Sequence, residues 1–114
     1  MASSADLEKY RSELKQMGIC VIVPTYNNHK TVKRVVEDVL EYSNDVIVVN
    51  DGATDNTPEI LSQFGDKIYR IDYSPNKGKG YALRMGFQKA LELGYDFAIT
   101  IDSDGQHFAN DIPK

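Results

Sequence analysis

Asp102 and Asp104 stand two residues apart at the end of the apolar run Phe97–Ile101. If the chain leaves that run extended, alternate side chains share a face and both carboxylates point the same way. Neighbouring carboxylates repel and raise each other's pKa unless something positive lies between them. A hard divalent cation meets that need. Mg²⁺ takes one or two carboxylates and completes its octahedron with phosphate oxygens and water. Gln106 adds a neutral oxygen at the next alternate position. The functional reading is a cation that holds a diphosphate. The competing reading is a solvated acidic turn shaped by Gly105. His107 is open between metal ligand, phosphate contact and surface residue.

A basic segment supplies the opposite charge. Residues 73–91 contain Lys77, Lys79, Arg84 and Lys89 and no acidic residue, a stretch of +4 in a chain of net charge −4. Such a stretch attracts an anionic substrate when it shares an edge with the aspartates. Lys77, Lys79 and Arg84 are the better candidates, and Lys89 belongs to a solvated helix face. Gly78 and Gly80 would let the backbone approach a ligand closely. Neither a dinucleotide fingerprint nor a phosphate-loop motif is completed here. Asp51 and Asp55 flank Gly52 in another loop. They read equally as turn and helix-cap residues or as acceptors for a nucleobase or ribose. Cys20 lies inside an apolar run and reads as a small core residue.

These residues need a scaffold. A first helix is expected over Ala5–Met17, ended by Gly18. Ile19–Val23 reads as a buried strand stopped by Pro24. Val32, Val35, Val36, Val39 and Leu40 mark one face of a helix. Val46–Val49 is a second buried strand. Thr57 caps the next helix, with Pro58 at its first position. Lys67–Tyr73 suits a sheet edge. Ala82, Leu83, Gly86, Phe87, Ala90 and Leu91 form another helical face, and Phe97–Ile101 reads as a fourth, buried strand. Apolar strands alternating with helices predict an α/β fold, a Rossmann-like parallel sheet with helices on both faces. Ligands bind such sheets beyond the carboxyl ends of the strands, at the switch in strand order. All four expected ends are polar.

The chain has 114 residues, 41% hydrophobic and 26% charged, enough for one domain with a core. Its mild acidity argues against a general nucleic-acid coat. One cysteine rules out an internal disulfide and favours a reducing, cytoplasmic setting. Nothing resembles the ~20 apolar residues of a membrane span or a signal peptide.

Four motifs in order, Val21-Ile-Val-Pro-Thr-Tyr-Asn27, Val48-Val-Asn-Asp-Gly-Ala-Thr-Asp55, Asn76-Lys-Gly-Lys-Gly80 and Asp102-Ser-Asp-Gly-Gln-His107, resemble the inverting family 2 glycosyltransferases of GT-A fold. The last two resemble the dolichyl-phosphate mannosyltransferase-like branch. The resemblance runs from about Ile19 to Lys114. It implies a nucleotide-sugar-binding part of a GT-A domain over 19–114, behind a helical extension over 1–18.

By position, the resemblance places Pro24, Thr25, Tyr26, Asn28, Asp51, Gly52, Lys79, Gly80, Asp102 and Ser103 around a UDP- or GDP-sugar. Asp51 would meet the base. Asp102, Asp104 and Gln106 would hold Mg²⁺ or Mn²⁺. Asn28 replaces a common glutamate, Asn50 a common aspartate and Ala53 a common serine, which leaves the base and nucleotide open. The acceptor implied is a polyprenyl phosphate or a growing glycan, met in the cytoplasm or at the cytoplasmic face of a membrane. The catalytic base is expected beyond residue 114, so the chain by itself is expected to be weakly active or inactive. A non-catalytic nucleotide-sugar-binding or assembly module is the alternative. A nucleotidyltransferase is a weaker one, since Pro24-Thr25-Tyr26-Asn27 lacks the glycine-rich basic loop that it needs.

Overall fold

The computed structural model describes residues 4–102. Ser103, Asp104, Gln106 and His107 lie outside the described residues, so the cation motif is described only at Asp102. The elements run α1 (Ser4–Gln16), β1 (Ile19–Thr25), α2 (Val32–Tyr42), β2 (Val46–Asp51), α3 (Thr57–Ser62), a 3-10 turn (Gly65–Lys67), β3 (Tyr69–Tyr73), α4 (Lys79–Glu92) and β4 (Phe97–Thr100).

Among the described residues all strand pairs are parallel, in the order β3-β2-β1-β4. Alternate residues of β1 and β2 feed two cores. Val21, Val23, Val46 and Val48 meet the valines of α2 together with Leu61, Phe64 and Ile68. Cys20, Ile22, Ile47 and Val49 meet Ala82 and Ala90 of α4 on the other face. Each fully buried valine or isoleucine contributes roughly 1.5–3 kcal/mol. The expected α/β sheet with helices on both faces is therefore the fold. Small residues let α4 lie close: a Cβ on Gly86 would stand 2.6 Å from Ile22 Cγ2. Helix α1 packs on α2, with Tyr10 against Tyr42 and Arg11 Nη2 donating to the Leu40 carbonyl at 2.7 Å.

The chain steps outward from β1 to β2 to β3, then returns to lay β4 on the free side of β1. Strand order reverses between β1 and β4, and the crevice outside their carboxyl ends is the switch point.

Several local expectations change. β1 runs through Pro24 to Thr25. Its ladder with β4 ends at Ile22↔Thr100, so Pro24 has a paired strand on one side only and its missing N–H is not needed on the other. Asn56, not Thr57, is the N-cap of α3, and Pro58 follows inside the first turn. β3 begins at Tyr69 because the 3-10 turn takes up Gly65–Lys67. β4 is not buried: Phe97 is 63% exposed, because this strand pairs with β1 alone among the described residues. Helix α4 begins at Lys79, so Lys79 and Gly80 stand in its first turn, ahead of the apolar face that starts at Ala82. The reason is the N-cap Gly78, whose φ of +97° suits glycine and whose carbonyl accepts the Ala82 N–H at 3.0 Å.

Candidate nucleotide-sugar site

A cleft of about 180 Å³ opens at the switch point. Pro24 and Thr25 come from the end of β1, and Tyr26 and Asn28 from the loop after it. Asp51 ends β2, Lys79 begins α4 and Asp102 follows β4. The sequence reading named all seven, and the fold brings them together. Gly52 and Gly80 do not line the cleft. Gly52 lies under the loop before α4, and a Cβ on Gly80 would meet nothing within 4 Å.

The β1 side offers a hydroxyl and a ring. Thr25 is buried, and its Oγ1 has no hydrogen-bond partner among the described residues. A buried hydroxyl without a partner carries a cost that a polar ligand atom can remove. The Tyr26 ring is 43% exposed at the lip, a flat surface suited to stacking on a base.

Asp51 is 4% exposed and has work inside the protein. One carboxylate oxygen accepts the Lys77 N–H at 2.8 Å, and the other the Gly78 N–H at 2.9 Å. Each oxygen keeps a second lone pair. The carboxylate thus fixes the backbone from which Lys79 projects. Nearby, burial and the Asp51 carboxylate push the Tyr73 hydroxyl pKa above its ordinary value. Tyr81 packs edge-on against Tyr73, and Lys77 Nζ lies 5.0 Å from the Tyr81 ring centroid.

Of the four basic candidates, Lys79 alone is a cleft-lining residue. Its Nζ sits 2.5 Å from Asp102 Oδ1. Lys77 is engaged with Tyr81, Arg84 is an exposed residue of α4, and Lys89 lies beside Ile71, Met85 and Gln88 away from the cleft. Among the described residues no three His, Cys, Asp or Glu side chains gather as a metal cluster. Asp102 still fits a cation seat in its chemistry. It is a partly exposed carboxylate at the cleft, and a cationic group already rests on it.

Two cross-links between the β1 and β2 loops were not anticipated. Asn27, with φ of +52°, accepts the Thr54 N–H at 2.8 Å and donates to Thr54 Oγ1 at 3.3 Å. Asparagine tolerates that conformation better than most residues, which was the available signal. His29 Nδ1 lies 2.8 Å from Asp55 Oδ2, and its backbone N–H donates to the same oxygen at 3.2 Å. The other Asp55 oxygen accepts the Thr57 N–H at 2.9 Å. Burial opposes ionisation of Asp55, but the hydrogen bonds from Thr57 and His29 outweigh it and bring the pKa down to about 2. Asp55 is therefore a loop and helix-start residue. Cys20 is a core residue as expected, its thiol pushed up to about 11 chiefly by burial.

A parallel sheet with this switch-point cleft is the architecture of GT-A glycosyltransferases, and solved structures of that class superpose on it. Glucosyl-3-phosphoglycerate synthase from Mycobacterium tuberculosis, solved with UDP, matches 94% of this chain and 41% of its own with a TM-score of 0.72; at 20% identity it speaks for the fold. Staphylococcus aureus TarS, solved with UDP-GlcNAc, matches 83% of this chain and 29% of its own, with TM-score 0.65 and 25% identity. The profile described as Glycosyl transferase family 2 matches residues 20–114, and the chain belongs to that family. It is 38% identical to the UDP-N-acetylglucosamine–dolichyl-phosphate N-acetylglucosaminyltransferase of Methanococcus voltae, over 84% of this chain and 45% of that protein. It is 34% identical to a poly-beta-1,6-N-acetyl-D-glucosamine synthase of Staphylococcus epidermidis, over 82% of this chain and 24% of that protein. The chain thus spans less than half the length of these relatives.

Proposed function

We propose that residues 19–114 form the donor-binding part of an inverting glycosyltransferase that uses a UDP-sugar, with UDP-N-acetylglucosamine the first donor to test. The observation that carries this is the cleft itself. A buried hydroxyl with no partner among the described residues, an exposed aromatic side chain, a lysine on an anchored backbone and a partly exposed carboxylate converge where such sheets bind ligands. Two relatives whose names contain N-acetylglucosamine support the sugar.

In this reading Thr25 hydrogen-bonds the base and Tyr26 stacks on it. Asp51 keeps the Lys77–Gly78 backbone in place and offers its remaining lone pairs to the base. Lys79 meets the diphosphate. Asp102 would hold Mg²⁺ or Mn²⁺, with Asp104 and Gln106 as the further ligands expected from sequence. A bound divalent ion would supply charge stabilisation for the departing diphosphate. An acceptor oxygen forms the new bond to the anomeric carbon as the carbon–oxygen bond to the diphosphate breaks, and the nucleotide diphosphate leaves with the electron pair. A polyprenyl phosphate acceptor, suggested by the name of the Methanococcus relative, is already anionic and gives up no proton.

Isothermal titration with UDP-N-acetylglucosamine, UDP-glucose and GDP-mannose, with and without Mn²⁺, tests the site. The expected result is Mn²⁺-dependent binding of the UDP-sugars, weakened by Asp102→Asn. No binding of any donor overturns the proposal.

A further inference from the structure

Lys79 and Asp102 are the two charged partners at the cleft whose contact joins α4 to the end of β4. The ammonium lies 2.5 Å from the carboxylate, with Lys79 61% exposed and Asp102 27%. The backbone beneath Lys79 is anchored by Asp51 through Lys77 and Gly78. Motion is therefore left to the flexible four-carbon stem. Each partner faces a competitor. A divalent cation competes with Lys79 for Asp102. A diphosphate competes with Asp102 for Lys79.

We infer that Lys79 is an exchange residue: it occupies the Asp102 carboxylate when the cleft is empty and transfers to the diphosphate when donor and cation arrive together. This rests on the donor-site reading above and adds to it a rule for the order of contacts. A cation alone, or a nucleotide alone, competes with the ion pair at only one of its two ends. The two together satisfy both partners, because the cation takes the carboxylate as the phosphates take the ammonium. Lys79 thereby opposes stray cation binding and favours the complete cation–nucleotide pair. Binding energies exchanged this way are reciprocal between the two ligands.

The inference makes two predictions of opposite sign for one exposed substitution. In Lys79→Met, Mn²⁺ titrated into the nucleotide-free chain, read by electron paramagnetic resonance of free Mn²⁺, binds about two- to fivefold tighter, as an exposed ion pair of ordinary strength implies. UDP titrated at saturating Mn²⁺ binds more weakly, by at least a similar factor. In an Asp102→Asn background, Lys79→Met no longer improves Mn²⁺ binding. Mn²⁺ binding that is unchanged or weaker in Lys79→Met, or UDP binding that is undiminished, overturns the exchange while the donor site stands. A wild-type chain that binds neither Mn²⁺ nor UDP overturns the donor site and the exchange with it. Thermal denaturation of both variants checks that neither loses the fold.

Discussion

A Cβ on Gly52 would stand 2.3 Å from the backbone nitrogen of Asn76. The end of β2 and the loop before α4 are in direct backbone contact at that point. Gly52 also has φ of +67°, where a side chain is strained. Gly52→Ala must displace backbone and not a flexible side-chain end, so strain and overpacking add. The expected loss is roughly 2–4 kcal/mol in chemical denaturation. Weaker UDP binding should accompany it, because the displaced loop leads directly into the first turn of α4, where Lys79 stands.

Asp51→Asn should act on the same loop from the other side. An amide oxygen can accept one of the Lys77 and Gly78 N–H groups while its NH₂ confronts the other. Losing a charge-assisted bond and leaving a buried donor unpaired costs about 2–3 kcal/mol. If Asp51 also reads the base, the variant blurs discrimination between UDP and GDP. If it only holds the loop, both nucleotides weaken in proportion. Parallel titrations separate the two outcomes.

Asn50 stands where many family members have aspartate, and its surroundings explain the amide. Asn50 Nδ2 donates to Asp72 Oδ1 at 3.0 Å while Asn50 Oδ1 accepts the Ala53 N–H at 3.0 Å. Asn50→Asp would set a second carboxylate against Asp72, only partly offset by Arg70 at 3.0 Å. A loss of about 1–3 kcal/mol is expected at pH 7. The introduced carboxyl has a raised pKa, so its penalty should shrink as pH falls toward 4. Denaturation at several pH values measures that slope.

Asp55 predicts the opposite pH response. Its folded pKa, about 2, lies below the ordinary value near 4. Its contribution is therefore complete above the unfolded pKa and lost as pH falls from about 4 toward 2. With solvent screening the loss is on the order of 1 kcal/mol. In Asp55→Asn this part of the acid destabilisation should be absent, and urea titrations at pH 5 and pH 3 compare the two.

The sheet and cleft edge were legible for a simple reason. Continuous β-branched runs such as Val46–Val49 can hardly be anything but buried strands, and the polar residues following them must gather at one edge. The periodic apolar face of α4 starts only at Ala82, and Gly78-Lys79-Gly80 has poor helix propensity. The Gly78 carbonyl to Ala82 bond overrides that preference. The composition of β4 reports how apolar the strand is, not how many neighbours it has, so its exposure is invisible in the sequence. The Asn27–Thr54 and His29–Asp55 contacts join loops more than 25 residues apart and leave no periodic trace.

The strand order β3-β2-β1-β4 also sets a timetable for a chain emerging from the ribosome. Pro24, Thr25, Tyr26, Asn28, Asp51 and Lys79 are all synthesised before residue 80, whereas Asp102 follows a further helix and strand. Until residues 97–100 arrive, one edge of β1 has no strand beside it. Among the described strands β4 is the last to be translated, and with it comes Asp102, the second carboxylate of the cleft after Asp51.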